Sequence, residues 1–374
     1  MWPYFIPILL CVPACFIRAN NINIYWKKSY KKIYMWSVLL AFLIVFAGIR
    51  GNGSGDYFEY LRRGSAIRNF ADIFSNSIHM DTGYCFLAWI VNIFHLPAQA
   101  IIVAMNFISI CCIGVFIKRY SNIPILSVLL FLPFFYQFDM HAARTACAIG
   151  IVTLATPYVL ERRPLKFAIV IMIAFLFHSE SIIALFLYFL PVIHIDLTTG
   201  IILLFVDILI ALPNLSDKFC LFILSKTGLT TLYTRFLGYT KSVFYGYSAK
   251  LYDPRFVLFF CIFIFACIRL QDKNDVTSRL LLNTAFFTIF IMIFFLNHTI
   301  MCYRLSPFYG IYSIVLIPAI LKHDNNHLAE NFHSTKLYYL EYSITVFAFA
   351  VYSAAHAINL GTGVPYKIFE KIYW

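Results

Sequence analysis

Six ionisable residues stand where a very apolar chain is expected to carry none. They are Arg50 and Asp56 in GIRGNGSGDYFEYLRRG, Arg144 in FDMHAARTACAIG, His178 and Glu180 in FLFHSESIIAL, and Arg304 in NHTIMCYRLSPFY. Ionisable groups at membrane depth are costly unless they are paired or face water, so each marks a candidate site. The three arginines suit a pyrophosphate, because planar guanidinium groups grip phosphate oxygens in pairs and stay charged at any accessible pH. His178 can take a proton from a sugar hydroxyl near neutral pH, and Asp56 is the alternative base. Glu180 would orient His178 or cap a helix start. Around Asp56, the glycines at 51, 53, 55 and 64 allow close backbone approach, and Tyr57 and Tyr60 offer flat faces for sugar rings. Plain structural roles also exist: Arg50 as an interfacial side chain reaching water, Arg144 paired with Asp139, and His178 as a satisfied core histidine.

The elements that must position these groups follow from composition. Of 374 residues, 61% are apolar and 12% charged, with a mean hydropathy of +0.80, against roughly 45–50% and 25% in soluble domains. Apolar residues come in runs of roughly 15 to 20 between short charged linkers, which is the pattern of helices crossing a ~30 Å hydrocarbon layer and not the strand alternation of a barrel. The expected fold is an all-α polytopic membrane protein, one integral domain over 1–374 with about 12 transmembrane helices (10–12). Many Phe and Tyr lie near the run ends, where amphipathic rings suit the interface. The first run, Trp2 to Ile17, has neither a basic start nor a small-residue cleavage site and is read as a retained helix. The ten cysteines fall mostly inside apolar runs without a C-x-x-C pair, so they are read as small core hydrophobes.

Cationic linkers stay on the cytoplasmic side. Five of them set a zigzag: Arg18 with Lys27, Lys28, Lys31 and Lys32; Lys118 with Arg119; Arg162, Arg163 and Lys166; Arg269, Lys273 and Arg279; and Lys322 with Lys336. The predicted helices are 2–17, 33–49, 98–117, 122–138, 144–160, 165–180, 181–195, 199–213, 256–270, 280–296, 301–320 and 337–355. Gly83 to His95 is assigned as a re-entrant or interfacial helix. The long run Phe167 to Ile195 is split at HSES; as a single crossing it would invert every later orientation. This zigzag puts a Gly-rich loop at 48–82 and a cationic loop at 214–255 outside, and gathers the six candidate residues on that same face. A cationic external loop runs against the positive-inside tendency unless its ligand is anionic.

Other chemistries lack their residues. There is no glycine-rich nucleotide loop and no H-E-x-x-H, and His323 with His327 in KHDNNH falls in a linker assigned to the cytoplasm. No metal and no cofactor is expected. A net charge of +12 on a membrane protein points to anionic lipid or lipid-phosphate partners and not to nucleic acid.

Taken in order, Arg50, Gly55, Asp56, Tyr57 and Tyr60, then Asp81, Gly83 and Tyr84, then Arg144 in AARTACA, the FHS of residues 177–179 with Ser181, and Arg304 in YRL form a familiar series. On these motifs the chain resembles the EpsG-like branch of the Wzy polysaccharide polymerases over most of its length. Family members more often carry Glu at the place of Asp81, Gln at Thr145 and a small residue at Glu180. The resemblance implies a metal-independent glycosyltransferase of the GT-C kind in the bacterial inner membrane, with both loops and the active site facing the periplasm. It would transfer a growing O-antigen or related glycan from undecaprenyl pyrophosphate to the terminal sugar of an incoming lipid-linked repeat unit. Arg144 and Arg304, helped by Arg50, would hold the pyrophosphate; His178 or Asp56 would act on the acceptor hydroxyl; Tyr57, Tyr60, Asp81 and Glu180 would contact sugars. A chain-length regulator protein is implied as a partner. Two rival readings are a membrane O-acyltransferase of the same glycans and a lipid-linked oligosaccharide flippase.

Overall fold

An apolar helix satisfies its backbone N–H and C=O groups internally, so apolar runs between charged linkers fold as helices. The computed structural model describes residues 1–17, 21–26, 29–51, 55–75, 78–228, 230–241, 247–270, 275–321 and 332–369. In chain order the helices are α1 (Ile6–Phe16), α2 (Met35–Gly48), α3 (Gly55–Ser65), α4 (Thr82–Ile93), α5 (Gln99–Tyr120), α6 (Pro124–Phe134, continued as a wide turn over Phe135–Asp139), α7 (Ala143–Thr153), α8 (Thr156–Leu160) and α9 (Pro164–Phe177). They continue with α10 (Leu197–Ala211), α11 (Leu215–Lys226), α12 (Thr230–Lys241), α13 (Pro254–Arg269), α14 (Val276–Phe294), α15 (Thr299–Leu305), α16 (Pro307–Gly310), α17 (Ser313–Ile320) and α18 (Phe332–Gly363). Tighter 3-10 helices run over Ser179–Tyr188 and Leu190–Val192. An antiparallel hairpin pairs β1 (Asn21–Trp26) with β2 (Ser29–Tyr34).

Every predicted segment is occupied by helix, and the long run breaks at His178, inside HSES. Among the described residues, four helices are long and apolar enough to cross a bilayer: Gln99–Tyr120, Ala143–Leu160, Val276–Phe294 and Leu337–Gly363. Two further pairs qualify together but are bent, Leu197–Ala211 with Leu215–Lys226 by 78° and Thr299–Gly310 with Ser313–Ile320 by 51°. Asn214 turns the first bend in the left-handed region at φ 57°, which asparagine tolerates.

Three sequence expectations need correction. The Gly-rich segment is not loop throughout, because Gly55–Ser65 is helical: Tyr57, Tyr60 and Leu61 are buried on one face while Glu59 pairs with Arg62 and Arg63 on the other. The cationic segment 214–255 holds α11 and α12. The first basic linker carries the hairpin, where a plain connection was expected. Gly53, Lys27, Lys28, Arg18, Lys273, Lys322, His323 and His327 lie outside the described residues, and the side chains of Lys31, Lys32 and Lys336 are likewise not described.

The chain forms two compact units, one of residues 1–157, 165–182 and 321–374, the other of 158–164 and 183–320. In the first, α5 is the central post against α2, α3, α4 and α7. Its closest neighbour is α7, because Gly150 has no side chain: a Cβ there would sit 2.8 Å from the Ser109 carbonyl oxygen. Ser109 in turn donates to the Ala146 carbonyl at 3.1 Å, a small-residue, hydroxyl-bonded contact suited to helices in lipid. In the second unit, α14 is central, packed on α10, α13 and α16. Asn283 on α14 donates to the carbonyls of Leu190 and Ile193, both at 2.7 Å, satisfying backbone groups that the 3-10 turn leaves open.

Candidate functional site

In the first unit, the ends of α4, α7 and α9 meet and bring four sequence candidates together. Asp81 is the N-cap residue of α4, yet its side chain makes no capping bond. It instead accepts a 2.5 Å bond from Nη1 of Arg144, which lies in the first turn of α7. The same oxygen, Oδ2, lies 3.9 Å from Nδ1 of His178, the residue just beyond α9. On its other side the His178 ring meets Glu180, Nε2 to Oε2 3.1 Å. The result is a chain of charge from Arg144 through Asp81 and His178 to Glu180, with side chains 11–22% exposed.

A glycine explains the approach. A Cβ on Gly83 would lie 2.9 Å from the carbonyl oxygen of Leu176, near the end of α9, so only glycine lets the start of α4 come this close. The next residue, Tyr84, donates its hydroxyl to the Tyr60 carbonyl and so ties α4 to α3. Tyr60 lies beneath Arg144, whose guanidinium carbon is 5.6 Å from the ring centre, within cation–π range. Asp56, in the first turn of α3, is half-buried, and its charge acts on both Arg144 and Tyr60. The cluster therefore holds three carboxylates, Asp56, Asp81 and Glu180, around one guanidinium and one imidazole.

Arg50 is placed differently. It is 1% exposed, its guanidinium stands 5.8 Å from the Tyr57 ring centre, and Nε and Nη2 have no hydrogen-bond partner among the described residues. The buried carboxylate of Asp139 acts on it electrostatically. Its backbone is fixed on two sides: Gln99 donates Nε2 to the Gly48 and Arg50 carbonyls at 2.7 and 2.8 Å, and Arg50 forms a bridge with Ile368. Gly51 permits that bridge, since a Cβ there would lie 2.6 Å from the Ile368 carbonyl oxygen. Tyr57 and Tyr60, expected as sugar platforms, are each 1% exposed and face the two arginines. Burial pushes both phenols above their ordinary value, against the pull of Arg50 on Tyr57 and of Arg144 on Tyr60. Tyr57 donates to Oε1 of Gln99 at 2.8 Å.

Arg304 belongs to the second unit, half-buried in the last turn of α15. Two groupings close to it in sequence were not singled out there. Arg255 makes a bidentate pair with Asp253 at 2.7 and 2.9 Å, and its guanidinium carbon lies 3.3 Å from the centre of the Tyr303 ring. The Tyr303 hydroxyl donates to the same carboxylate at 2.9 Å. Burial would raise the Asp253 carboxyl, but the hydrogen bonds and charge of Arg255, with that of Tyr303, hold it down to about 2. The sequence Asp253-Pro254-Arg255 was legible as a helix start, with a capping aspartate and proline in the first turn. At the head of α15, His298 Nε2 meets Asp217 Oδ2 at 2.8 Å, both residues buried; nothing in their spacing, 81 residues apart, announces the pair.

The model of the EpsG family matches residues 33–368, from the foot of α2 to the bridge partner of Arg50. The chain belongs to the EpsG family. No curated protein and no solved structure matches it. As an EpsG-family protein it is membrane-associated, in keeping with its apolar helices, and membership points to a glycan-polymerase-like, glycosyltransferase-like role in polysaccharide biosynthesis. Arg50, Asp81, Arg144, His178 and Arg304 all fall inside the matched range. Among the described residues no group of three His, Cys, Asp or Glu is arranged to hold a metal ion.

Proposed function

We propose that this EpsG-family protein polymerises lipid-linked oligosaccharide repeat units into O-antigen or a related surface polysaccharide. The growing glycan moves from undecaprenyl pyrophosphate to a hydroxyl on the terminal sugar of an incoming unit, at the periplasmic face of the inner membrane. The observation that carries this reading is the contact chain Arg144, Asp81, His178, Glu180 at the joined ends of three helices. In the reaction the acceptor oxygen bonds to the anomeric carbon, the bond from that carbon to the phosphate oxygen breaks, and pyrophosphate leaves with the electron pair. The acceptor proton passes to His178 or to Asp56. Asp81 orients Arg144 and His178 through one shared oxygen, and Arg144 stabilises charge developing on the leaving group. Positive charge from guanidinium groups makes a metal unnecessary in this scheme.

Burial of Arg50 favours a positioning role for it, through the fixed backbone between α2 and α3, over direct phosphate contact. Arg304 enters as the phosphate-binding candidate of the second unit. A regulator of chain length fits such a polymerase as a partner.

The test is a reaction of the purified protein with its lipid-pyrophosphate-linked repeat unit, read as a glycan ladder with and without EDTA, beside His178→Ala and Arg304→Ala. A ladder from wild type that survives EDTA and disappears in both variants supports the proposal. Absence of a ladder from folded wild type with authentic substrate sinks it; lipid translocation in liposomes would then favour a flippase, and acetyl transfer to glycan an acyltransferase.

A further inference from the structure

The first unit contains a cavity of about 960 Å³ that the polymerase reading does not use. It lies where α1 ends, α2 and α6 begin, α5 ends and α18 begins, and Phe16, Tyr34, Trp36, Lys118, Tyr338 and Tyr342 are among its walls. None of Asp56, Asp81, Arg144, His178 and Glu180 lines it. Gln99, at the first residue of α5, holds the loop carrying Arg50, whereas Lys118 is in the last turn of the same helix. With 22 residues, α5 is about 33 Å long, the thickness of a bilayer's hydrocarbon layer. The cavity thus sits at the opposite end of a bilayer-length helix from the loop that Gln99 fixes.

Aromatic rings are prominent in its lining. Tyr338 and Tyr342 lie 6.1 Å apart between ring centres, Phe16 meets Tyr342 edge-on at 6.1 Å, and Tyr34 lies 6.3 Å from Trp36. Tyrosine and tryptophan in such numbers at helix ends belong to the level of lipid head groups. The Tyr342 hydroxyl is engaged by the Cys15 carbonyl at 2.8 Å, so that ring is held in place and presents its face. Lys118 is the one cation among the described lining residues, and Arg119 follows it. In sequence, residues 18–33, between the lining residues Ile17 and Tyr34, include Arg18, Lys27, Lys28, Lys31 and Lys32 and no Asp or Glu. The nearest carboxylate along α18 is Glu341, which is not part of the lining.

We propose that this cavity binds an anionic glycerophospholipid, its acyl chains against the aromatic wall and its phosphate head group at Lys118. Volume, aromatic lining and the ammonium of Lys118 fit an amphiphile with a phosphate, and a juxtamembrane segment that is cationic in sequence draws anionic lipid. The lipid so held is a bilayer lipid and not the glycan-carrying substrate. This inference goes beyond the polymerase reading and stands whether or not that reading holds.

Trp36 supplies a reporter inside the cavity. The full-length protein is placed in nanodiscs containing increasing fractions of brominated phosphatidylglycerol or, separately, brominated phosphatidylcholine, and tryptophan fluorescence is recorded. The expected result is a saturable quenching component that half-saturates at a phosphatidylglycerol fraction at least five-fold lower than for phosphatidylcholine. It disappears in Trp36→Phe, and in Lys118→Gln the two lipids become equivalent. Lys118 is exposed, so its variant tests binding without disturbing the core. Equal quenching by both lipids in wild type, persistence of the component in Trp36→Phe, or unchanged selectivity in Lys118→Gln would each overturn the proposal. So would displacement of the bound phospholipid by undecaprenyl pyrophosphate, which would reassign the cavity to the substrate lipid. The glycan ladder, run on the same samples, fails or succeeds separately and reports on the polymerase reading alone.

Discussion

Two arginine–aspartate pairs, one in each unit, have opposite characters. Asp253 is saturated: Arg255 grips both its oxygens, Tyr303 donates a third bond, and the guanidinium is stacked on that same tyrosine. Asp81 is shared. Its Oδ2 serves Arg144 and faces His178, with two further carboxylates close by in charge. A closed, bidentate, stacked pair has one good arrangement and holds a helix start in place. A carboxylate bonded to one guanidinium and standing 3.9 Å from an imidazole leaves room for rearrangement, which the proton movement and change of leaving-group charge of the proposed mechanism require. On the proposed mechanism the difference separates a fastening from a working site, although both read simply as Asp and Arg in the sequence.

The sharpest way to break this contrast is to neutralise each aspartate. Asp81→Asn, like His178→Ala, is expected to slow polymerisation on the order of 10²- to 10⁴-fold, whereas Asp253→Asn leaves the rate per folded molecule unchanged, as read from initial ladder formation normalised to monodisperse protein. An equal loss in both aspartate variants would end the distinction. Arg144→Lys comes next. Lysine keeps the charge but cannot reproduce a planar group resting over Tyr60 while bonding Asp81, so the rate is expected to fall about ten-fold, or ~1.4 kcal/mol in the barrier. If lysine works as well as arginine, geometry at this position is irrelevant.

Gly83→Ala tests how the shared site is built. A methyl group 2.9 Å from the Leu176 carbonyl must push α4 from α9, at about 1–3 kcal/mol of stability, and should lower activity beyond what the loss of folded protein explains. Thermal unfolding followed by size exclusion, beside the ladder assay, separates the two effects. Asp253→Ala should cost about 1–2 kcal/mol, a figure reduced for the partial solvent screening of this pair, and show in the same melts. The smallest effect is in acid. The Asp253 carboxyl, held near 2 in the folded protein, has an ordinary value of about 3.9 when unfolded. Its contribution is complete above the unfolded value and is lost as pH falls from about 4 toward 2. The melting advantage of wild type over Asp253→Asn should be constant from pH 7 to 5 and shrink by pH 3; an advantage that shrinks already between pH 7 and 5 would contradict the cause assigned.

The helices built from apolar runs were legible because run length fixes them, although among the described residues only four, or six with the bent pairs, are long and apolar enough to cross a bilayer; legible too was the interruption at His178, where four polar residues end an apolar stretch. The motif Asp81, Gly83, Tyr84 was visible, but its meaning was not. The glycine serves a contact with Leu176 and the aspartate one with Arg144, 63 residues along the chain. The four glycines around Asp56 obscured α3, although the spacing of Tyr57, Tyr60 and Leu61 with Glu59 and Arg63 on the far side was there to be read. The fixing of the Arg50 backbone was hidden for a different reason: the residue that bridges it, Ile368, lies more than 300 residues later.

That last distance sets an order of events during synthesis. Gly51 donates to the Lys367 carbonyl at 2.7 Å, and Phe369 to that of Ile49 at 2.8 Å. Chains generally fold from the N-terminal side as they emerge, yet here the backbone around Arg50 waits for a segment translated more than 300 residues later. Until residues 367–369 arrive, the backbone on either side of Arg50 lacks these two bonds. A nascent or truncated chain is therefore expected to be inserted but unfinished, and a protease site engineered at 363 would separate insertion from completion.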